Sequence, residues 1–169
     1  MEIENAIKTA IEHEMKVLDV YTQAAKSADS DIGKRVFKTL ADEEQNHVNY
    51  LKDRLEQWKN KGQIKVEKLN TVIPSKKVID ENIKKLKGHM KDHNRGAELQ
   101  MLWKALDVEI KTTEFYRKMV DEIDKELQGM FARFLEIEEG HMALVQAEID
   151  SISGMGFWFD FREFDLEAN

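Results

Sequence analysis

Four long segments of the chain carry apolar residues at three- and four-residue intervals, the spacing that places them on one face of an α-helix. Little in the sequence interrupts helices, because its 169 residues include one proline and eight glycines. Turn and capping residues separate the segments. The pattern therefore predicts an all-α protein with helix A at about 2–27, helix B at about 31–61, helix C at about 97–122 and helix D at about 125–152.

A long connection, residues 62–96, joins helices B and C. It contains Pro74 and a weaker apolar pattern that predicts one short helix, with Ile79, Ile83, Leu86 and Met90 on its face. The A–B and C–D turns are tight, so each pair is an antiparallel hairpin, whereas the B–C connection can cross the whole bundle. We therefore expect an up-down-down-up four-helix bundle in a single domain, residues 1–169, with an aromatic tail, residues 153–169, that docks on the bundle or on a neighbouring subunit.

The two predicted hairpins repeat the same polar pattern. Glu14 precedes Tyr21 by seven residues in helix A, as Glu109 precedes Tyr116 in helix C, and the two pairs are 95 residues apart. A Glu-x-x-His motif in helix B recurs in helix D at an offset of 94 residues. A single Glu-x-x-His match is expected by chance in so acidic a chain, but two at equivalent positions indicate a functional repeat.

Six ionisable side chains occupy positions that the apolar pattern assigns to the interior. Glu14, for example, falls between Ile11 and Leu18 on the apolar face of helix A, where an apolar residue is expected. The same exception occurs on the other three helices. The predicted inward-facing set is Glu14, Glu44, His47, Glu109, Glu138 and His141.

These side chains are predicted to lie at one level of the bundle. Glu14 and Glu44 are equally distant from the first tight turn, as Glu109 and Glu138 are from the second. Four carboxylates in a dry core are tolerable only if they are protonated or neutralised, and two divalent cations balance four negative charges. Carboxylate oxygen and imidazole nitrogen suit Fe, Mn or Zn, with iron favoured by this arrangement. The sequence therefore predicts a dinuclear metal centre, with a metal-free polar network as the alternative.

The composition excludes several other classes of function. There is no cysteine, so the chain has no disulfide, iron–sulfur cluster or thiolate nucleophile, and its scattered methionines do not indicate a haem site. A net charge of −7 argues against binding to nucleic acid or an anionic membrane. No apolar run approaches the roughly 20 residues of a membrane span, and the charged N-terminal stretch is unlike a signal peptide. We expect a cytoplasmic protein.

Over nearly its whole length the chain resembles the rubrerythrin-like proteins of the ferritin-like superfamily. The two Glu–Tyr pairs and the two Glu-x-x-His motifs carry this resemblance. It implies that Glu14 and Glu109 are terminal carboxylates, that Glu44 and Glu138 bridge two iron ions, and that each motif histidine completes the coordination of one ion. The same resemblance implies that Tyr21 and Tyr116 donate hydrogen bonds to ligand carboxylates; the alternative is that they fill the core.

Two departures from the rubrerythrin pattern affect the expected chemistry. Rubrerythrins carry a four-cysteine iron site that is missing here, so electrons must come from a separate donor protein. They also carry an additional Glu three residues after the helix C ligand, where this chain has Thr112, and the remaining six-ligand set is closer to that of bacterioferritins.

The resemblance implies an oxidoreductase that reduces hydrogen peroxide or dioxygen with electrons from an external donor protein. One alternative is a ferroxidase that oxidises ferrous iron for storage in a hollow shell. Another is a bundle whose metals, such as zinc, are purely structural. We expect a homodimer, because the long connection and the aromatic tail favour a small assembly.

Overall fold

The computed structural model describes residues 2–83, 96–155 and 158. Within these residues the chain is helical, with no strand. The helices are α1 (Ile3–Ser27), α2 (Asp31–Lys61), α3 (Lys76–Ile83), α4 (Gly96–Glu122) and α5 (Lys125–Met155). The prediction of an all-α fold with a short helix in the long connection is confirmed, although Leu86 and Met90 of that connection lie outside the described residues.

The ends of the helices follow from local sequence. Ser30 caps α2, since its hydroxyl accepts a hydrogen bond from the backbone N–H of Gly33 at 2.9 Å. Gly62 ends the same helix in the left-handed region, at φ +63°, which glycine adopts without steric cost. Helix α5 continues to Met155, so its predicted end at residue 152 is wrong. The low helix propensity of Ser and Gly is worth up to about 1 kcal/mol each, too little to end a helix whose preceding turn is buried in the core.

The order of contacts between helices gives the topology. Helix α1 packs against α2 and α4, and α4 packs against α5. Tyr21 of α1 contacts Glu109 of α4, whereas Glu14, earlier in α1, contacts Tyr116, later in α4. This reversed order makes α1 and α4 antiparallel. Since each tight turn also reverses the chain, the bundle is up-down-down-up, and the predicted ferritin-like fold is confirmed.

A layer of polar side chains divides the core into two apolar clusters. One cluster includes residues from the N-terminal part of α1 and the C-terminal part of α4, among them Ile7, Ile11 and Met119. The other includes residues from the opposite ends of these helices, such as Val17 and Leu102. Glu14 and Glu109 lie between the clusters in sequence, so each helix is apolar at both ends of its inner face and polar in the middle.

The connection between α2 and α4 packs along α5. Leu69 and Ile73 are buried, and Nε of Arg133 donates a hydrogen bond to the carbonyl of Leu69 at 3.0 Å. At Gly140 a Cβ would lie 3.0 Å from the carbonyl oxygen of Pro74, so glycine permits this close approach. The connection therefore covers α5 beside the polar layer. None of the helices within the described residues has the length and apolar content of a membrane-spanning segment.

Trp158 is the residue of the aromatic tail beyond α5 that the structure describes. Its ring is buried and stands edge-on to Phe37, with ring centroids 5.3 Å apart. Its indole N–H donates to the carboxylate of Glu98, which also accepts hydrogen bonds of 3.0 Å from the backbone N–H and the hydroxyl of Ser30. Trp158 thus docks on the bundle, while residues 156–157 and 159–169 lie outside the described part of the chain.

Candidate metal centre

The polar layer in the middle of the bundle contains all six side chains that the sequence predicts as ligands. Helices α1 and α4 contribute one glutamate each, and α2 and α5 contribute one Glu-x-x-His motif each, which places both side chains of a motif on the same helix face. All six side chains have no solvent exposure. They are Glu14, Glu44, His47, Glu109, Glu138 and His141.

The imidazole of His47 faces three carboxylates through its Nδ1 atom. This nitrogen lies 3.1 Å from Oε2 of Glu14, 3.3 Å from Oε2 of Glu44 and 3.1 Å from Oε1 of Glu138. These atoms come from three different helices. A cation bound by His47 at Nδ1 would therefore have three carboxylates within reach.

The imidazole of His141 has an equivalent environment. Its Nδ1 lies 2.7 Å from Oε1 of Glu44, 3.7 Å from Oε2 of Glu138 and 3.8 Å from Oε1 of Glu109. The rings of His141 and His47 are nearly parallel, at 7°, with centroids 5.4 Å apart. The two histidines thus approach the same carboxylate layer side by side.

The ligand atoms fall into two overlapping groups whose members lie within 4.8 Å of one another. One group is Glu14, Glu44, His47 and Glu138, and the other is Glu44, Glu109, Glu138 and His141. Glu44 and Glu138 belong to both groups. This sharing is what bridging carboxylates require, and it leaves one terminal carboxylate and one imidazole for each cation.

Two buried tyrosines hold the terminal carboxylates. The hydroxyl of Tyr21 donates to Oε1 of Glu109, and that of Tyr116 donates to Oε1 of Glu14. Burial, together with the adjacent carboxylate, raises the pKa of both phenols well above its usual range, so they remain donors. Phe134 packs on Tyr116 at 5.0 Å and against His47 at 5.4 Å, which keeps water away from this side of the layer.

The crowding of negative charge shifts the ionisation of the site. Burial raises the pKa of Glu109 well above its usual range, and the charges of Glu138 and Glu44 raise it further. Burial also raises the pKa of Glu44. Burial lowers the pKa of the two imidazoles, but the neighbouring carboxylates outweigh this effect and raise the pKa of His47 and of His141 well above its usual range. The raised pKa of the two imidazoles shows that the surrounding carboxylates favour positive charge in this layer.

The unpaired atoms of the cluster test whether metal ions fit. Oε2 of Glu44, Oε2 of Glu109 and both carboxylate oxygens of Glu138 have no hydrogen-bond partner among the described residues. Leaving a buried charged oxygen unpaired costs more than the roughly 1–3 kcal/mol of a neutral group, whereas a cation satisfies several such oxygens at once. A set of carboxylate oxygens and imidazole nitrogens without sulfur suits Fe, Mn or Zn. The residues therefore fit a pair of divalent ions.

Glu43 is a residue of this region that the sequence analysis missed. Its carboxylate is buried, accepts hydrogen bonds from the Thr71 hydroxyl at 2.5 Å and the Val72 backbone N–H at 2.9 Å, and lies 3.6 Å from Nε2 of His141. Burial raises its pKa, but the nearby imidazole of His141 and the hydrogen bonds from Thr71 and Val72 lower it to about 2. The doublet Glu43–Glu44 was the available signal in the sequence, and both of its side chains are buried.

Thr112, the position that departs from the rubrerythrin pattern, contributes no ligand atom to the cluster. Its side chain is buried, but the hydroxyl donates to the backbone carbonyl of Val108 at 2.9 Å on its own helix. Thr112 therefore adds nothing to the six clustered side chains that the sequence predicts.

Comparison with known proteins agrees with this geometry. No curated protein and no solved structure gives a significant match to the chain. The model of the family described as Rubrerythrin matches residues 5–149. This range covers the four bundle helices except the start of α1 and the end of α5, and it contains all six clustered side chains. The chain therefore belongs to the rubrerythrin family.

Proposed function

We propose that this protein is a dinuclear iron oxidoreductase that reduces hydrogen peroxide or dioxygen with electrons from an external donor protein. One observation supports the proposal above all: four carboxylates and two imidazoles, fully buried, form two overlapping groups at one level of the bundle. Membership of the rubrerythrin family supports iron over manganese or zinc.

The described side chains have separate tasks in this proposal. Glu14 and His47 would complete the coordination of one ion, and Glu109 and His141 that of the other, with Glu44 and Glu138 shared between them. When bound, a pair of ferrous ions supplies two electrons and polarises the O–O bond of the oxidant. Reduction of one hydrogen peroxide to two water molecules consumes these two electrons and two protons.

The chain itself supplies orientation and a dry environment. The hydroxyls of Tyr21 and Tyr116 fix the terminal carboxylates, so that the carboxylates do not rotate freely while charge changes beside them. The two apolar clusters above and below the polar layer exclude bulk water. Carboxylates can also change between one- and two-oxygen binding, which lets the ligand set absorb a change in metal charge.

In this proposal a separate donor protein supplies the electrons. The sequence contains no cysteine, so it cannot build the rubredoxin-type iron site through which rubrerythrins receive electrons. The partner would dock on the surface of the bundle, and the reaction would stop after one turnover in its absence.

Metal analysis combined with a single-turnover reaction tests the proposal. Protein purified without added metal should contain two metal ions per chain, mostly iron. After anaerobic reduction, one equivalent of hydrogen peroxide should oxidise both ions and change the visible absorption spectrum. Glu138→Ala should lose bound metal and this response, whereas Glu136→Ala, an exposed position on the same helix, should retain both.

Two other outcomes would replace the proposal. Bound metal that gives no spectral change with peroxide or dioxygen would indicate a purely structural site. Iron oxidation accompanied by assembly into a large hollow shell, seen by light scattering or electron microscopy, would favour iron storage. The storage alternative has one specific observation behind it, since Thr112 leaves a six-ligand set. A homodimer in solution would favour the oxidoreductase.

A further inference from the structure

The candidate metal centre is nearly symmetric under the internal repeat. An offset of 95 residues relates α1 to α4, and an offset of 94 relates α2 to α5. The hydrogen bond from Tyr21 to Glu109 thereby corresponds to that from Tyr116 to Glu14. The 2.7 Å contact of His141 with Glu44 likewise corresponds to the 3.1 Å contact of His47 with Glu138. The two metal positions therefore have the same ligands in the same order.

The symmetry is not complete, since Phe134 beside His47 corresponds to Leu40. At one position beside the ligands it also fails in charge. Glu43 corresponds by the 94-residue offset to Ile137, a buried apolar residue. Oε2 of Glu43 lies 3.6 Å from Nε2 of His141. Neither Nε2 of His141 nor Nε2 of His47 has a hydrogen-bond partner among the described residues. The approach of Glu43 distinguishes them, since the ion pairs of His47 with described residues involve its Nδ1.

We infer that Glu43 makes the two metal positions unequal, so that the ion bound by His141 is held more tightly than the ion bound by His47. Glu43 acts as a positioning residue: it accepts the Nε2–H of His141 and keeps Nδ1 directed at Glu44, Glu109 and Glu138. This inference rests on the proposed metal binding. It adds the expectation that the position at His141 fills first, which the symmetric ligand set alone does not predict.

The chemistry of imidazole supports this role for Glu43. A neutral imidazole has one nitrogen with a free lone pair and one N–H, so a metal at Nδ1 leaves a proton at Nε2 that needs an acceptor. A carboxylate acceptor fixes the tautomer and the ring orientation, and it increases the basicity of the ligand nitrogen. A displacement of about half an ångström brings the 3.6 Å separation within hydrogen-bond length.

Glu43 is itself held in place by the connection between α2 and α4. The hydroxyl of Thr71 and the backbone N–H of Val72 occupy its two oxygens, so the side chain cannot swing away from His141 without losing both hydrogen bonds. Glu43, His47 and His141 also lie close enough to hold an ion by themselves. We assign Glu43 to His141 because it faces Nε2 of that imidazole, the nitrogen that carries the proton when Nδ1 binds a metal.

The test is a titration of metal-free protein with Co²⁺, followed by calorimetry and by visible absorption. Wild-type protein should bind two ions per chain in two resolved steps that differ by about 10- to 100-fold in affinity. Glu43→Gln should weaken the first step by about that factor and leave the second nearly unchanged, so that the steps merge. Glu56→Gln, an exposed position on the same helix, is the matched control and should keep both steps.

Two histidine variants identify which position is the tight one. His47→Ala should retain the tight step and lose the weak one, and His141→Ala should do the reverse. Thr71→Val provides a milder change that leaves the buried carboxylate in place while removing one of its hydrogen bonds. It should lower the affinity of the same step by a smaller factor, which keeps the inference testable if Glu43→Gln does not fold.

The outcomes separate this inference from the proposed function. Two ions bound with equal affinity by the wild type, or equal weakening of both steps in Glu43→Gln, would overturn the assigned role of Glu43 and leave the dinuclear centre intact. Failure of the wild type to bind Co²⁺ at all would overturn the proposed function and the inference with it.

Discussion

At the scale of single residues, one tyrosine hydroxyl holds each of the carboxylates Glu109 and Glu14. Tyr21→Phe keeps the buried ring but removes the donor to Glu109, and Tyr116→Phe does the same at Glu14. We expect each variant to bind metal about 10- to 100-fold more weakly, because partners of ligand side chains contribute that much to metal affinity. The measurement is the Co²⁺ titration described above.

Tyr50 provides the control for the tyrosine variants. Its hydroxyl donates to the backbone carbonyl of Glu67 at 2.8 Å, away from the ligands. Tyr50→Phe should therefore leave metal affinity unchanged. Wild-type affinity in both Tyr21→Phe and Tyr116→Phe would show that the two rings only fill the core.

Replacing either of two glycines with alanine should change the stability of the protein in opposite directions. A Cβ on Gly33 would lie 2.5 Å from Oε2 of Glu98 and 2.8 Å from the hydroxyl of Ser30, both of which are held by hydrogen bonds. A Cβ on Gly129 would have no neighbour within 4 Å. Gly33→Ala should lower the free energy of unfolding by about 1–3 kcal/mol, while Gly129→Ala should raise it by roughly 0.5–1 kcal/mol through helix propensity. Urea denaturation of the two variants measures both effects, and stabilisation of both would show that the space around Gly33 relaxes freely.

At the scale of helices, one carboxylate joins three parts of the chain. Glu98, in the first turn of α4, accepts hydrogen bonds from Ser30 at the start of α2 and from Trp158 beyond the end of α5. Glu98→Ala leaves the buried indole of Trp158 and the half-buried donors of Ser30 without this acceptor, and we expect it to lower the free energy of unfolding by roughly 2–4 kcal/mol. Glu114→Ala, at an exposed position on the same helix, should change it by less than about 0.5 kcal/mol. A loss for Glu98→Ala no larger than that of the control would contradict this role.

For the whole molecule, metal binding should add to the stability of the fold. The six ligands come from four helices, and the unfolded chain cannot hold them together, so the free energy of metal binding becomes free energy of folding. Free metal at one hundred times the dissociation constant of one position should add about 2.7 kcal/mol for the ion bound there. This corresponds to a rise of roughly 5–10 °C in the unfolding temperature of a chain of this size. Calorimetry with metal and after chelation measures the change.

A ligand variant checks that this stabilisation comes from the buried centre. Glu138→Ala removes a carboxylate that both groups share, so its unfolding temperature should rise far less on addition of metal. An undiminished rise in this variant would show that the metal stabilises the protein from another site.

Much of the fold and of the ligand set was predictable because the signals are local. Periodic apolar residues give the four long helices, and Ser30 and Gly62 give the boundaries of α2. Glutamates that interrupt an apolar face at equal distances from a turn indicate a buried polar layer. Glu14 and Glu44 are equally distant from the first turn, and the structure brings them together in that layer. The end of α5 was missed because packing outweighed weak local propensity.

The remaining features depend on residues that are distant in sequence, and for that reason periodicity does not reveal them. Glu98 and Trp158 are 60 positions apart, and Glu43 and His141 meet across two helices. The chain alone dictated which side chains face inward, since helix geometry converts spacing into direction. The tertiary structure determined which of those inward groups have hydrogen-bond or ion-pair partners. Such contacts form only when segments that are distant in sequence pack together. Glu43, with two hydrogen bonds and His141 at 3.6 Å, differs in this way from its apolar counterpart Ile137, and the inferred inequality of the two metal positions rests on that difference.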